Sequence, residues 1–385
     1  MARQYDLVSA DAHAIQPPDL WEKWMPAKYA DQKPILSKDP KGGDEWIYPE
    51  TGGKEPLGLT TTTGITYQEY DWYGASYKGD TGLRQIHPSC YDGKERLKAM
   101  DIDGVDAEVQ FPPQRAMSYF MGFEDTELQL SGIRAYNDWL VDDFCAADPT
   151  RLIALAEMTN AGVETNITEM RRSVDKGHKG VILSAWPSGG DTPQSEDDAF
   201  WSTAEEMGVP IHLHISIQTT TSIRQAKAAT QTGTQTGAQN AAVGAGSFVS
   251  TAPLISQIIF AGIHDRFPKL KFLAIESGVG WVPFFLESLD DRWWRNRYRT
   301  ESNLKERPSD YWYKNWLGTF MVVRAGIAAR HQVGVDNMMW STDYPHHGND
   351  WPHSRKTMDE QMANVPRDEK QRMVADTCAK LYNLI

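Results

Sequence analysis

The stretch that decides the fold is YDLVSADAHAI, residues 5–15. It is an apolar, strand-like run that carries Asp11 and His13 two positions apart and stops at QPPDLW. Residues two apart on a strand share a face, so both side chains point the same way. The plain interpretation is that Asp11 caps a loop and His13 is a hydrogen-bonded core residue. The alternative is that both residues bind a metal ion.

The same kind of strand recurs along the whole chain of 385 residues, and helical patterns lie between the runs. Eight strands that alternate with helices predict a parallel (β/α)8 TIM barrel, which forms a single domain over residues 1–385. Strands are predicted near residues 5–13, 106–112, 152–159, 180–186, 210–216, 271–278, 314–321 and 338–345.

Two stretches interrupt the alternation. Residues 30–90 are rich in Gly, Pro, Thr and Tyr, and they read as a small insertion after the first strand. Residues 217–250 are small, polar and low in complexity. They are either a loose surface loop or, because they follow the fifth strand at the end where barrel loops build active sites, a mobile lid.

Composition excludes several classes of function. The formal net charge of −13 disfavours nucleic acid as a partner, because phosphate binding needs a basic surface. No run of 18 apolar residues indicates a membrane span, and no secretory leader is evident, so a cytoplasmic location is expected. Cys90, Cys145 and Cys378 are far apart and odd in number, which fits a reducing compartment better than a disulfide framework or a thiolate zinc site.

Polar residues lie at matching positions on four strands. The fifth strand carries His212 and His214, the sixth carries Glu276, and the last carries Asp343. In a parallel barrel the outer face packs on helices and is apolar, so these polar side chains must point inward. They lie at the C-terminal strand ends, where barrel enzymes hold their active sites.

Inward carboxylates and imidazoles are costly to bury unless they are paired or bound to a metal. Asp11, His13, His214 and Asp343 together supply two imidazoles and two carboxylates. This set of nitrogen and oxygen donors suits one divalent ion, with Zn²⁺ expected and Mn²⁺ or Fe²⁺ as alternatives. Any one of the four residues alone has an ordinary structural explanation, whereas four at matching strand ends favour the metal site.

Several motifs resemble the amidohydrolase-2 group of the amidohydrolase superfamily, whose relatives include aminocarboxymuconate-semialdehyde and hydroxybenzoate decarboxylases. The resemblance runs across nearly the whole chain and implies a (β/α)8 barrel with one divalent metal. The motifs that carry it are DAHAIQPPDLW, GVPIHLHIS, DRFPKLKFLAIESGVGWVPFFLESLDDRW and WSTDYPHHGNDWPHS.

The resemblance also implies roles for single residues. The first strand of the group offers His-x-His or Glu-x-His, so His13 matches and Asp11 takes the place of the variable ligand. His214 matches the ligand of the fifth strand, and Asp343 matches the aspartate of the last strand. His346, in YPHH, is then expected to orient Asp343 or the substrate.

The sixth strand departs from the group, because Glu276 stands where many members have a proton-transferring histidine. A carboxylate there can serve as a general base or bind the metal itself. We therefore predict catalytic roles for Glu276, Asp343 and His346, with Glu276 as a proton-transfer residue.

Three functions remain open. The leading one is a metal-dependent hydrolase whose metal-bound water attacks an ester, thioester, lactone or amide carbonyl. The second is a metal-dependent non-oxidative decarboxylase of an aromatic or unsaturated carboxylic acid, and the third is a catalytically silent binding barrel. The glutamate in place of histidine favours hydrolysis. The expected partner is a small molecule, an aromatic or hydrophobic acyl compound, and the chain is expected to form a homo-oligomer.

Overall fold

A barrel of eight strands organises the computed structural model, which describes residues 3–79, 82–215 and 249–385 together with residues 242, 245 and 246. The predicted lid, residues 217–250, otherwise lies outside the described residues. The eight predicted strands are all present, and each lies within its predicted range. In chain order they are Val8–His13, Ala107–Phe111, Leu152–Ala154 continued by Ala156–Glu157, Val181–Ile182, Ile211–His214, Phe272–Ile275, Trp316–Phe320 and Met338–Trp340.

The strands pair in parallel and in sequence order. The first three strands form one sheet, and the second segment of the third strand begins another that runs to the eighth. Leu155 separates the two segments of the third strand. At the opposite edge, Ala12 of the first strand bridges to Tyr344 just past the eighth, so the two sheets adjoin at both edges. This arrangement matches the predicted TIM barrel.

Helices cover the outside of the barrel, where the outward-facing residues are small or branched and apolar. Val8, Ala10 and Ala12, for example, are almost completely buried. Among the described residues, the α-helices with defined ends are Leu20–Trp24, Gly93–Asp103, Gln114–Met121, Thr126–Trp139, Val163–Lys176, Asp198–Met207, Thr251–Phe260, Ile263–Arg266, Val282–Asn296, Pro308–Asn315, Arg324–Ala328, Arg330–Val333, Ser354–Gln361, Arg367–Gln371 and Thr377–Leu381.

Local sequence explains where the helices begin and end. Before helix Gly93–Asp103, Asp92 accepts hydrogen bonds from the amides of Lys94 and Glu95, and Gly104 ends the helix in the left-handed conformation.

Within the part of the chain that the structure describes, no helix is both long and apolar enough to cross a membrane.

The segment after the first strand forms a separate small sheet. Strands Ile35–Lys38, Asp44–Tyr48 and Gly53–Pro56 pair antiparallel. Two further hydrogen bonds attach the following segment to the C-terminal end of the barrel: the Thr62 amide donates to the Pro345 carbonyl at 2.8 Å, and the Thr62 hydroxyl donates to the His346 carbonyl at 3.1 Å. The insertion is therefore anchored beside the strand ends that carry the candidate site.

Candidate active site

Three buried side chains and one partly exposed carboxylate converge at the C-terminal end of the barrel. Asp11, His13, His214 and Glu276 each offer a ligand atom, and these atoms all lie within 4.8 Å of one another. Nε2 of His214 lies 3.6 Å from Oδ1 of Asp11 and 3.5 Å from Oε2 of Glu276, and Nε2 of His13 lies 3.6 Å from Oδ1 of Asp11. Glu276, predicted from sequence as a proton-transfer residue, thus lies among the candidate ligands.

Asp343 belongs to an adjoining group that shares His13. Its Oδ1 lies 3.3 Å from Nε2 of His13 and 3.1 Å from Nδ1 of His346. The His13 and His346 rings are stacked, with centroids 3.8 Å apart. The structure therefore brings together every residue that the sequence predicted for the site, in two groups joined at His13.

The backbone turns sharply at two of these residues. Glu276 and Asp343 adopt positive φ angles of 55° and 58°, in the left-handed region that side chains with a Cβ rarely occupy. Both stand just beyond the end of a strand. Strain of this kind is found at functional sites, where the surrounding structure holds it in place. At Glu276 the amide donates to the Thr319 hydroxyl at 2.7 Å, which fixes the turn.

The electrostatics of the cluster call for a cation. Burial and the neighbouring carboxylates of Asp343 and Asp11 raise the pKa of Glu276 well above its ordinary value. Burial also raises the pKa of Asp343, but the imidazoles of His346 and His13 outweigh that effect and hold the pKa below its usual range. Burial and the nearby His346 lower the pKa of His13 to about 4, so its ring is neutral, as a metal ligand must be.

The donor atoms fit a metal ion. Among the described residues, neither carboxylate oxygen of Asp11 has a hydrogen-bond partner, and the same is true of Nε2 of His13 and Nε2 of His214. Buried polar atoms without partners are costly, and a divalent ion would satisfy all of them at once. Imidazole and carboxylate donors suit Zn²⁺, Mn²⁺ or Fe²⁺.

His212 lies deeper in the barrel than His214 and has a different role. Its Nδ1 donates to the Val181 carbonyl at 2.9 Å, and its Nε2 pairs with the Tyr382 hydroxyl at 2.6 Å. Burial lowers its pKa to about 4, so the ring is neutral. Both ring nitrogens are used, which leaves none for a metal.

Sequence patterns missed three residues that hold the ligands in place. The Gln114 amide contacts Nδ1 of His214, so that Nε2 faces the cluster. The buried Arg96 donates to the His13 carbonyl at 2.6 Å and to Glu108 at 2.7 Å. Phe111 packs against the His214 ring, with centroids 5.1 Å apart. Position offers a signal for Phe111 and Gln114, which lie at and just after the end of the second strand, but it does not indicate that they contact His214.

A family model described as Amidohydrolase matches residues 85–384. The chain belongs to the amidohydrolase family. Gamma-resorcylate decarboxylase of Rhizobium sp. (strain MTP-10005) is 24% identical to this amidohydrolase over 295 residues, covering 72% of this chain and 85% of the relative.

Solved structures share the fold of this amidohydrolase. Amidohydrolase map2389c from Mycobacterium avium subsp. paratuberculosis K-10 has a TM-score of 0.74 at 17% identity, covering 99% of this chain and 98% of its own. A dihydroxybenzoic acid decarboxylase from Polaromonas sp. JS666, which holds manganese and the inhibitor 2-nitroresorcinol, has a TM-score of 0.63 at 15% identity, covering 99% and 98%.

Proposed function

We propose that this amidohydrolase is a metal-dependent, non-oxidative decarboxylase of a hydroxylated aromatic carboxylic acid. The observation that carries the proposal is the match to a named decarboxylase over 72% of the chain, together with the buried ligand set at the barrel end. The sequence favoured hydrolysis because of Glu276. Hydrolysis has less support than decarboxylation, because the Rhizobium relative that matches 72% of the chain is named a decarboxylase.

The residues present have the roles that such a reaction needs. Asp11, His13 and His214 would hold the ion, with Glu276 or Asp343 completing the set. When bound, the ion supplies positive charge that orients an anionic substrate and stabilises developing negative charge. Phe111, which is fully buried beside His13 and His214, packs against both rings and supports their positions.

A proton must replace the departing carboxylate on the ring carbon, and Glu276 is our candidate to deliver it. The Glu276 side chain is 17% exposed, compared with 0% for Asp11 and 4% for Asp343, so it is the cluster carboxylate most open to the substrate side. The C–CO₂ bond breaks as the C–H bond forms, and the carboxylate of Glu276 then takes up a proton from water.

Product analysis tests this proposal directly. Protein loaded with Mn²⁺ or Zn²⁺ is incubated with 2,6-dihydroxybenzoate in D₂O, and both CO₂ and the aromatic product are measured. We expect CO₂ release and one deuterium on the carbon that lost the carboxylate. A parallel panel of aryl esters, thioesters and lactones is assayed for acid release. If the protein releases acid from an ester, thioester or lactone and releases no CO₂ from any aromatic acid, hydrolysis is the function instead.

A further inference from the structure

Helix Val282–Asn296 carries large aromatic side chains that no other part of the described chain covers. Phe284 is 76% exposed, Trp294 is 63% exposed, and Tyr298, just past the helix end, is 83% exposed. Tyr298 and Phe284 are the two most exposed large apolar side chains among the described residues. Contact of aromatic surface with water is unfavourable, and a group of such side chains on one element marks a place where another molecule binds.

The exposed side chains form a straight stripe along the helix. Its members, which are all exposed, are Phe284, Glu287, Asp291, Trp294 and Tyr298. They alternate three and four positions apart, the spacing that forms a contact seam between two packed helices. Helical hydrogen bonding reaches the end of the stripe, because the Thr300 amide donates to the Asn296 carbonyl at 2.9 Å. At about 1.5 Å per residue, the stripe is about 21 Å long.

Arg297 holds the C-terminal end of the stripe in place. Its guanidinium carbon lies 3.7 Å from the centroid of the Trp294 ring and 4.6 Å from that of the Tyr298 ring. Its Nη1 also donates to the Trp294 carbonyl at 2.6 Å. A cation that contacts both rings restrains them, so little side-chain entropy is lost when they are covered. Trp, Tyr and Arg are also the residues enriched in the hot spots of protein interfaces.

The charges on this face are complementary to a second copy of the same helix. Glu287, in the N-terminal half, has no ion pair among the described residues. Arg295, in the C-terminal half, pairs with Asp291 at 2.7 Å. Two copies that pack antiparallel about a two-fold axis at Asp291 bring together positions that are equally far from it. Glu287 then meets Arg295 of the other copy, four positions from the axis, and Phe284 meets Tyr298, seven positions from it.

We propose that the stripe over residues 284–298 is the contact surface of a homodimer, in which helices Val282–Asn296 of two copies pack antiparallel about a two-fold axis at Asp291. The two Asp291 carboxylates at the axis are each balanced by Arg295 of their own chain. The three aromatic side chains supply on the order of 400 Å² per copy, about half of what one partner buries in a stable complex, so flanking residues supply the rest. The dimer does not depend on the proposed function, because it uses the outside of the barrel.

Sedimentation equilibrium measures the dimer and its dissociation constant. We expect wild-type protein to have twice the mass of one chain at micromolar concentration. Trp294→Asp should raise the dissociation constant by about 30-fold or more, as loss of a hot-spot residue does, and Phe284→Asp at the other end should also raise it. Ile102→Asp is the matched control, because Ile102 is 65% exposed on a different helix, Gly93–Asp103, and its loss should leave the constant unchanged. Monomeric wild-type protein, or a dimer that Trp294→Asp and Phe284→Asp leave unchanged, would overturn the proposal.

A cysteine placed at the axis tests the antiparallel arrangement itself. In Asp291→Cys the two new thiols lie opposite each other, so oxidation with diamide should join two chains through a disulfide, measured by non-reducing electrophoresis. The three native cysteines are buried, which shields them from the oxidant. Ile102→Cys, with its thiol on the other exposed helix, should stay unlinked. If Asp291→Cys is linked no faster than Ile102→Cys, the two helices do not meet at Asp291 and the proposal is wrong.

Discussion

His214 is held on both sides of its ring, which makes it the residue whose loss affects the metal most. Nδ1 is fixed by Gln114, and Nε2 faces the carboxylates of Asp11 and Glu276. We predict that His214→Ala lowers metal content from about one ion per chain to a small fraction of that, measured by mass spectrometry of the purified protein.

The control for this prediction is a histidine on the protein surface, away from the cluster. His331 is largely exposed and pairs with Glu369, so His331→Ala should retain the metal. Full metal retention by the His214 variant would contradict the assignment of that residue as a ligand.

Glu276 is predicted to move protons and not to be an indispensable ligand. Glu276→Gln keeps the shape and removes the ionisable group, so kcat should fall by about two to four orders of magnitude while metal content stays near wild type. Turnover and metal are measured on the same preparation. If the variant loses metal together with activity, Glu276 is a ligand and the prediction is wrong. Its Oε2 lies 3.5 Å from Nε2 of His214, close enough for that role.

Sequence reasoning selected residues that the structure brings together where they alternate with apolar neighbours on a strand; their roles stay predictions. Asp11, His13 and His214 are visible because burial of the other face forces them inward. Gln114 and Arg96 were not predicted, because each acts through a contact with a residue distant in sequence: Gln114 is 100 positions from His214, and Arg96 is 83 positions from His13. Single-sequence patterns carry no information on such pairs.

At the scale of elements, the fourth and fifth strands pack with no spare room. A Cβ on Gly180 would lie 2.5 Å from Cε1 of His212 and 3.0 Å from Cδ2 of Leu155. The His212 ring cannot move aside, because both of its nitrogens are hydrogen-bonded. We predict that Gly180→Ala destabilises the protein by roughly 1–3 kcal/mol, measured by urea unfolding.

Gly246→Ala serves as the comparison, since a Cβ there would meet nothing within 4 Å among the described residues. Its free energy of unfolding should stay near that of the wild type. If the two variants unfold at the same urea concentration, the tight packing around His212 is not a feature of the protein.

The strands were predictable because each is a short run of β-branched and apolar residues bounded by polar or turn-forming ones. The ends of the strands were harder to predict. The sequence pattern extended the last strand to residue 345, but the strand ends at Trp340. Beyond that point the backbone leaves extended geometry to place Asp343 in a left-handed conformation, which is set by its surroundings and not by local propensity.

At the scale of the whole molecule, one buried carboxylate ties stability to pH. Burial raises the pKa of Glu157, on the third strand, to about 8. In the unfolded chain a glutamate titrates near ~4.3, so between these values the folded protein retains a proton that the unfolded chain has lost. Stability contributed by this residue is therefore lost progressively as pH rises from about 4.3 to 8.

We predict that Glu157→Gln stabilises the protein by about 1 kcal/mol at pH 5 and by on the order of 4–5 kcal/mol at pH 8, measured by denaturant unfolding at both values. Glu169 is the control, because this buried carboxylate is paired with two cations, Arg134 and Arg172. Glu169→Gln should destabilise the protein at both pH values. A Glu157 variant with no change between pH 5 and pH 8 would contradict the prediction.

The expectation of a homo-oligomer stays a prediction at this scale. Light scattering coupled to size-exclusion chromatography measures it directly.

The seam of the barrel has a consequence for synthesis on the ribosome. Asp11 and His13 are hydrogen-bonded through the backbone to the segment just past the eighth strand: the Asp343 amide donates to the Asp11 carbonyl at 3.0 Å, and the His13 amide donates to the Tyr344 carbonyl at 2.7 Å. The first candidate ligands thus leave the ribosome some 330 residues before their neighbours. At about 5–20 residues per second, they wait tens of seconds for that partner segment. The nascent chain therefore cannot assemble the complete site until the segment just past the eighth strand has been synthesised, and metal loading belongs after that point.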